Sequence, residues 1–116
     1  MKLKLIAAMV SDDKTEAVLD AARMAGATGA TVITACRGEG LKPEKTFLGL
    51  EISGQRDIVF LLVVEQKARE ILEAIAEAAD FDQEPGAGIA FQVAIEDAVG
   101  LRTQTEALLK EIEERL

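Results

Sequence analysis

The sequence predicts an α+β fold in which two β-α-β units, joined by a long loop, share one sheet, with an added helix at the C-terminus. Three observations predict it. Apolar, strand-like runs and helix-spaced segments follow one another as strand, helix, strand, twice over. A segment punctuated by Gly38, Gly40, Pro43, Gly49 and Gly54 separates the two halves. The 116 residues, 49% of them apolar, fit a single domain with one small core.

The elements follow in order. Leu3 to Val10 reads as a buried strand. Ser11-Asp12-Asp13 offers helix caps, and Asp13 to Glu16 has the spacing of a capping box. Val18, Leu19, Ala22 and Ala25 recur at helical spacing as far as Gly26, a helix stop. Gly29 to Cys36, with Thr31, Val32, Ile33 and Thr34, is rich in β-branched residues and predicts the second strand.

From Arg37 to Arg56 the periodicity breaks, and a loop of that length in a compact domain is functional or disordered. Thr46 to Ile52 has the apolar content for a short strand or hairpin inside it. Ile58 to Val64 is the clearest buried strand. Ala68, Ile71, Leu72, Ile75, Ala76 and Ala79 mark the second amphipathic helix. Ile89 to Ile95 predicts a fourth strand with Ile89, Phe91, Val93 and Ile95 on one face. Residues 103–116 carry a narrow apolar stripe through Thr105, Leu108, Leu109, Ile112 and Leu116. The plan is the ferredoxin-like split βαβ (βαββαβ) with an added helix. Helices cover one sheet face, and the other needs a neighbouring subunit or the C-terminal helix.

Composition excludes several functions. A net charge of -8, with no Trp or Tyr and four Phe, supplies neither the cations nor the stacking platforms that nucleic acid requires. It equally disfavours anionic membranes. The longest apolar runs fall far below the roughly 18 to 20 residues that span a bilayer. Leu3 to Val10 lacks the pattern of a signal peptide, and the lone Cys36 makes no internal disulfide, so a cytoplasmic protein is expected. With no His there is no imidazole base or ligand, and no triad, nucleophile–base pair or metal motif stands out. Glu84 and Glu96 are carboxylates for acid–base work in principle, but nothing raises them above other surface acids.

Three stretches together resemble the PII signal-transduction family, over about residues 2 to 102. Gly26-Ala27-Thr28-Gly29-Ala30-Thr31-Val32 is similar to its helix-to-strand passage. The segment 38–56 stands in the place of its T-loop. Glu84-Pro85-Gly86-Ala87-Gly88-Ile89 precedes the last strand as its glycine-rich B-loop does.

The resemblance implies a homotrimer that is not an enzyme. It would bind ATP, ADP or AMP as a regulatory ligand in clefts between subunits, and dock its T-loop on a target such as a membrane transporter or an enzyme. Thr31, Gly38 and Gly40 would line one side of the cleft. Gly86, Ala87 and Gly88 would form the opposite rim, with Arg102 matching a family arginine near the phosphates. Glycine backbones can approach a phosphate closely and form an anion nest.

Departures from the family pattern limit this reading. The family's Gly-Asp-Gly-Lys is Gly86-Ala87-Gly88-Ile89 here, its second arginine falls at about Gly100, and its Gln-Lys-Gly is Leu41-Lys42-Pro43. ATP held together with 2-oxoglutarate is therefore not expected; a weaker adenylate or another ligand is. Without Tyr, tyrosine nucleotidylation is excluded.

Several features have two readings. Arg37 and Lys42 could replace the missing cations. Asp80, Asp82 and Glu84 read as a solvated loop before a metal site, and Cys36 as a small buried apolar residue. Phe47 and Leu48 read equally as a docking tip and as loop packing. A ligand-free trimeric docking module and a small metal-handling protein are the competing functions.

Overall fold

The computed structural model describes residues 1–38, 46–47, 50–51 and 55–115, the two short pieces and the last three residues by backbone alone. Four strands form one sheet: β1 (Leu3–Ser11), β2 (Thr31–Cys36), β5 (Arg56–Val64) and β6 (Gly88–Ala94). Their order is β2-β5-β1-β6, every neighbouring pair antiparallel. Helices α1 (Thr15–Met24) and α2 (Glu65–Ala78) follow β1 and β5, and α3 (Thr105–Arg115) ends the chain. This is the split βαβ plan with its added helix. Within the 38–56 segment a small hairpin forms, β3 (Thr46–Phe47) against β4 (Leu50–Glu51).

Period-two alternation divides the sheet into two faces. Ile6, Ala8 and Val10 of β1 and Val59, Leu61 and Val63 of β5 point to the helices. There they meet Val18 and Ala22 of α1 and Ala68, Ile71 and Ile75 of α2. Each fully buried Val, Leu or Ile in this core is worth about 1.5–3 kcal/mol relative to exposure.

Both helices end alike. Gly26 takes φ +116° after α1, with Ala27 N–H bonded to the Ala22 carbonyl and Gly26 N–H to that of Arg23. Asp80 takes φ +55° after α2, with Phe81 N–H bonded to Ala76 and Asp80 N–H to Glu77. These are Schellman endings, in which the left-handed residue lets the last carbonyls find donors.

The start of α1 corrects the expected capping box. Ser11 still pairs with Arg56, and Asp12 N–H bonds the Gln55 carbonyl, so the strand outlasts the cap signal. A 3-10 turn (Asp12–Lys14) intervenes, Lys14 becomes the N-cap, and no side chain caps the helix. Cys36 also differs from expectation. It is half-buried on an edge strand, its thiol 3.8 Å from the Ile33 carbonyl. It follows a bulge: three steps from Ile33 to Cys36 oppose two from Ile58 to Arg56, and Ala35 takes φ 60°.

The second sheet face is apolar and largely open. Leu5, Ala7 and Met9 stand opposite Leu62, Phe60 and Ile58 on one side and Val93, Phe91 and Ile89 on the other. Met9, Ile33, Ile89, Phe91 and Val93 are 39–58% exposed. One end of this face is covered by α3, where Leu108 packs on Leu3 and Val64, with Leu62, Ile95, Leu101 and Ile112 around them. Among the described residues no helix is long and apolar enough to cross a membrane.

Candidate functional site

The end of the sheet where β2 stops, β5 starts and β6 starts gathers several of the candidate residues. Arg56 opens β5, and its Nη1 donates a 2.8 Å hydrogen bond to the Gly86 carbonyl. A Cβ on Gly38 would stand 2.8 Å from Arg56 Cδ. One side chain therefore runs from the exit of β2 to the turn before β6. Gly86 has φ +80°, a left-handed conformation that suits glycine, and a Cβ there would meet only Arg56 Nη2, at 3.7 Å.

Its neighbours are committed to the fold. Ala87 is buried; its N–H donates to the Glu84 carbonyl, and its own carbonyl accepts from Ser11 N–H. Gly88 is required by packing, since a Cβ there would lie 2.5 Å from the Met9 carbonyl oxygen and 2.6 Å from the Phe81 ring. Ile89, where the resembling pattern has a base, adds its side chain to the open apolar face.

Lys14 braces the same turn. Its Nζ lies 3.3 Å from Asp80 Oδ2 and 3.6 Å from Glu84 Oε2. The Asp80 hydrogen bond, opposed by partial desolvation and aided by the nearby Glu84 charge, raises its pKa above the ordinary lysine value. Two of the alternating acids thus serve a structural ion pair. Among the described residues no acid, His or Cys cluster has metal-holding geometry.

Thr31 lies apart. It pairs with Phe60, four residues along β5 from Arg56, about 13 Å at strand rise. Thr28 to Thr31, Phe60, Leu62 and Gln104 line a shallow groove of about 290 Å³. Arg102, two residues before Gln104, is exposed. Within one chain, then, Gly38 lies near Gly86 across the Arg56 side chain, and Thr31 lies elsewhere on the sheet. Gly40, Leu41-Lys42-Pro43 and Leu48 lie outside the described residues, as does the Phe47 side chain.

Glu84 and Glu96 flank opposite ends of the seven-residue β6, a strand of about 23 Å, and within one chain do not form a pair. Arg56 and Lys14 were not among the sequence candidates. Arg56 reads as the last residue of a loop, and only the strand register brings it to the glycine turn.

The family model for nitrogen regulatory protein P-II matches residues 3–105. The chain belongs to the P-II family. Its fold is shared with a protein of Thermus thermophilus described as a PII-like signaling protein, at 23% identity and a TM-score of 0.61, over 82% of this chain and 88% of that one. Among curated proteins none matches in sequence. P-II membership assigns the chain to a family of signalling regulators. Most of α3 lies beyond the matched segment.

Proposed function

We propose that this P-II protein is a cytoplasmic regulator that assembles as a homotrimer through its open sheet faces. It binds a small anionic effector, an adenine nucleotide, between subunits and controls a target transporter or enzyme through segment 38–56. The observation that carries this reading is the separation just described. The Gly38–Arg56–Gly86 rim and the Thr28–Thr31 groove are two partial sites on one chain, and a second copy is the simplest way to bring such halves together.

The open face supports the assembly, because a soluble monomer rarely leaves so contiguous an apolar sheet surface in water. Regulation follows if the effector binds two loop arrangements with different affinity, since only differential binding shifts an equilibrium.

Thermal-shift titration with AMP, ADP and ATP, with and without Mg²⁺ and 2-oxoglutarate, tests the ligand. Effector at 100 times its Kd adds about 2.7 kcal/mol of stability. Light scattering with chromatography tests the assembly. The wild type is expected at three times the chain mass, and Phe91→Glu, which puts a charge on the open face, at one. A monomeric wild type overturns the trimer.

A second reading is a ligand-free docking trimer. It is favoured by the Ala87 N–H being already bonded and by the packing requirement at Gly88. An absence of thermal shift with every nucleotide selects it.

A further inference from the structure

We propose that the groove between α2 and the edge strand β6 is a second docking surface of this protein, and that it takes a short basic, amphipathic segment of a partner protein. The surface is separate from the effector cleft and from segment 38–56.

The groove follows from residue size. Ile6, Ala8 and Val10 of β1 face the helices, so the β6 residues opposite them, Gln92, Ala90 and Gly88, share that face. Two of these three have little or no side chain, and the flank of α2 does not fill the space above the strand. An open groove of about 750 Å³ results. Along α2, Ala68, Ile71 and Ile75 enter the core. Arg69, Leu72, Glu73, Ala76 and Glu77, three and four residues apart, form a second stripe that lines the groove. Leu72, Ala76, Phe81 and Ala90 make its half-buried apolar floor.

The rim is acidic. Arg69 Nε holds Glu73 at 3.0 Å and Lys14 Nζ holds Asp80 at 3.3 Å. The carboxylates of Glu77 and Asp82 meet no cation among the described residues. Solvated surface acids alone would say little. These two border an apolar floor, and together the features describe one complement: aliphatic side chains against the floor, with Lys or Arg at the edges.

Charge also selects the partner. Another copy of this chain carries a net charge of -8 and would meet the rim with like charge. The open apolar face lies on the other side of the sheet from the groove. A basic segment is attracted instead. The stretch of α2 that lines the groove, residues 69–77, is about 12 Å long at helical rise, so the docked segment is short, about two turns of helix.

The test uses the full chain and three probes: a peptide of about two to three helical turns built from Leu and Lys on opposite faces, the same peptide with Ser in place of Leu, and spermidine. Amide resonances in ¹⁵N spectra are followed on addition of each, at low and at high salt. The Leu/Lys peptide is expected to move resonances in residues 69–83 and at Ala90, less so at high salt. The Ser peptide is expected to bind at least about tenfold more weakly, for want of apolar contact with the floor. Glu77→Lys combined with Asp82→Lys changes two exposed residues. The double variant is expected to weaken the Leu/Lys peptide by about tenfold and to keep the wild-type mass in light scattering. Shifts centred elsewhere, equal binding of the two peptides, or an affinity in the double variant within about twofold of wild type overturns the proposal. Spermidine that binds the same residues as tightly as the Leu/Lys peptide overturns it in favour of a small cation. A fall in mass in the double variant overturns it in favour of an interface between copies. Nucleotide titration of the double variant is expected to match wild type, so the effector reading and the groove fail separately.

Discussion

Thr15 Oγ1 donates a 2.7 Å hydrogen bond to Asp57 Oδ2, and both residues are buried. The bond ties the first turn of α1 to the start of β5, one residue after Arg56. A hydrogen bond to a charged group contributes about 1.5–3 kcal/mol, and removing one partner leaves the other desolvated and unpaired. Thr15→Val keeps the shape of the side chain and removes the donor. Urea denaturation should show it destabilised by about 1.5–3 kcal/mol, with the slope of the transition unchanged. A variant within 0.5 kcal/mol of wild type, taken as roughly the scatter of neutral surface changes, would show that the bond does not hold the helix.

Gly88 separates a structural glycine from a ligand-binding one. Its missing Cβ faces the Met9 carbonyl on the neighbouring strand and the Phe81 ring. The ring can turn, but the carbonyl is part of β1. Gly88→Ala is therefore expected to lose about 1–3 kcal/mol, the range for forced overpacking, with or without nucleotide. Gly29→Ala meets nothing within 4 Å and serves as the control in the same thermal melts. Equal melting temperatures for the two variants would contradict the packing role.

Lys14 carries a pH signature. Its folded pKa is raised, first by the Asp80 hydrogen bond. A cation whose folded pKa lies above its unfolded value stabilises the fold fully below the unfolded pKa, and loses that contribution as pH rises through the folded one. Lys14→Met should therefore be less stable than wild type at pH 8. The gap should close as pH climbs past the ordinary lysine value of 10.5. Urea midpoints at pH 8, 10 and 11.5 measure it, and a gap that stays constant across that range would place the lysine's contribution in its hydrocarbon stem.

The fold was largely legible because strand and helix periods differ and the chain honours both. Ile6, Ala8 and Val10 alternate, Ile71 and Ile75 are one helical turn apart, and Gly26 stops α1 as its chemistry suggests. Boundaries were less legible where tertiary pairing outbid a local signal. Ser11 looks like a cap, yet its backbone remains in the ladder opposite Arg56. The site was legible in part. The glycine turn was visible as a string, but Ala87 and Gly88 turn out to be engaged by Glu84, Ser11, Met9 and Phe81, none of which a motif names. Arg56 was hidden because its partners, Gly38 and Gly86, are 18 and 30 positions away and meet it only across the sheet end.

The last prediction concerns α3, most of which extends past the P-II match. Leu108 is 1% exposed and sits over Leu3 and Val64, closing one end of the otherwise open apolar face. Thr105 Oγ1 bonds the Leu101 carbonyl and holds the helix start in place. Leu108→Ala removes the central contact of a small cluster, and a buried Leu→Ala change costs about 2–5 kcal/mol. Because this cluster lies outside the main core, the loss is expected as undocking of α3 while the sheet and the first two helices persist. Amide exchange should then rise in residues 105–112 and stay low in β1 and β5. A rise spread evenly over all three would mean that α3 folds as one unit with the sheet, and that the added helix is part of the domain's global stability.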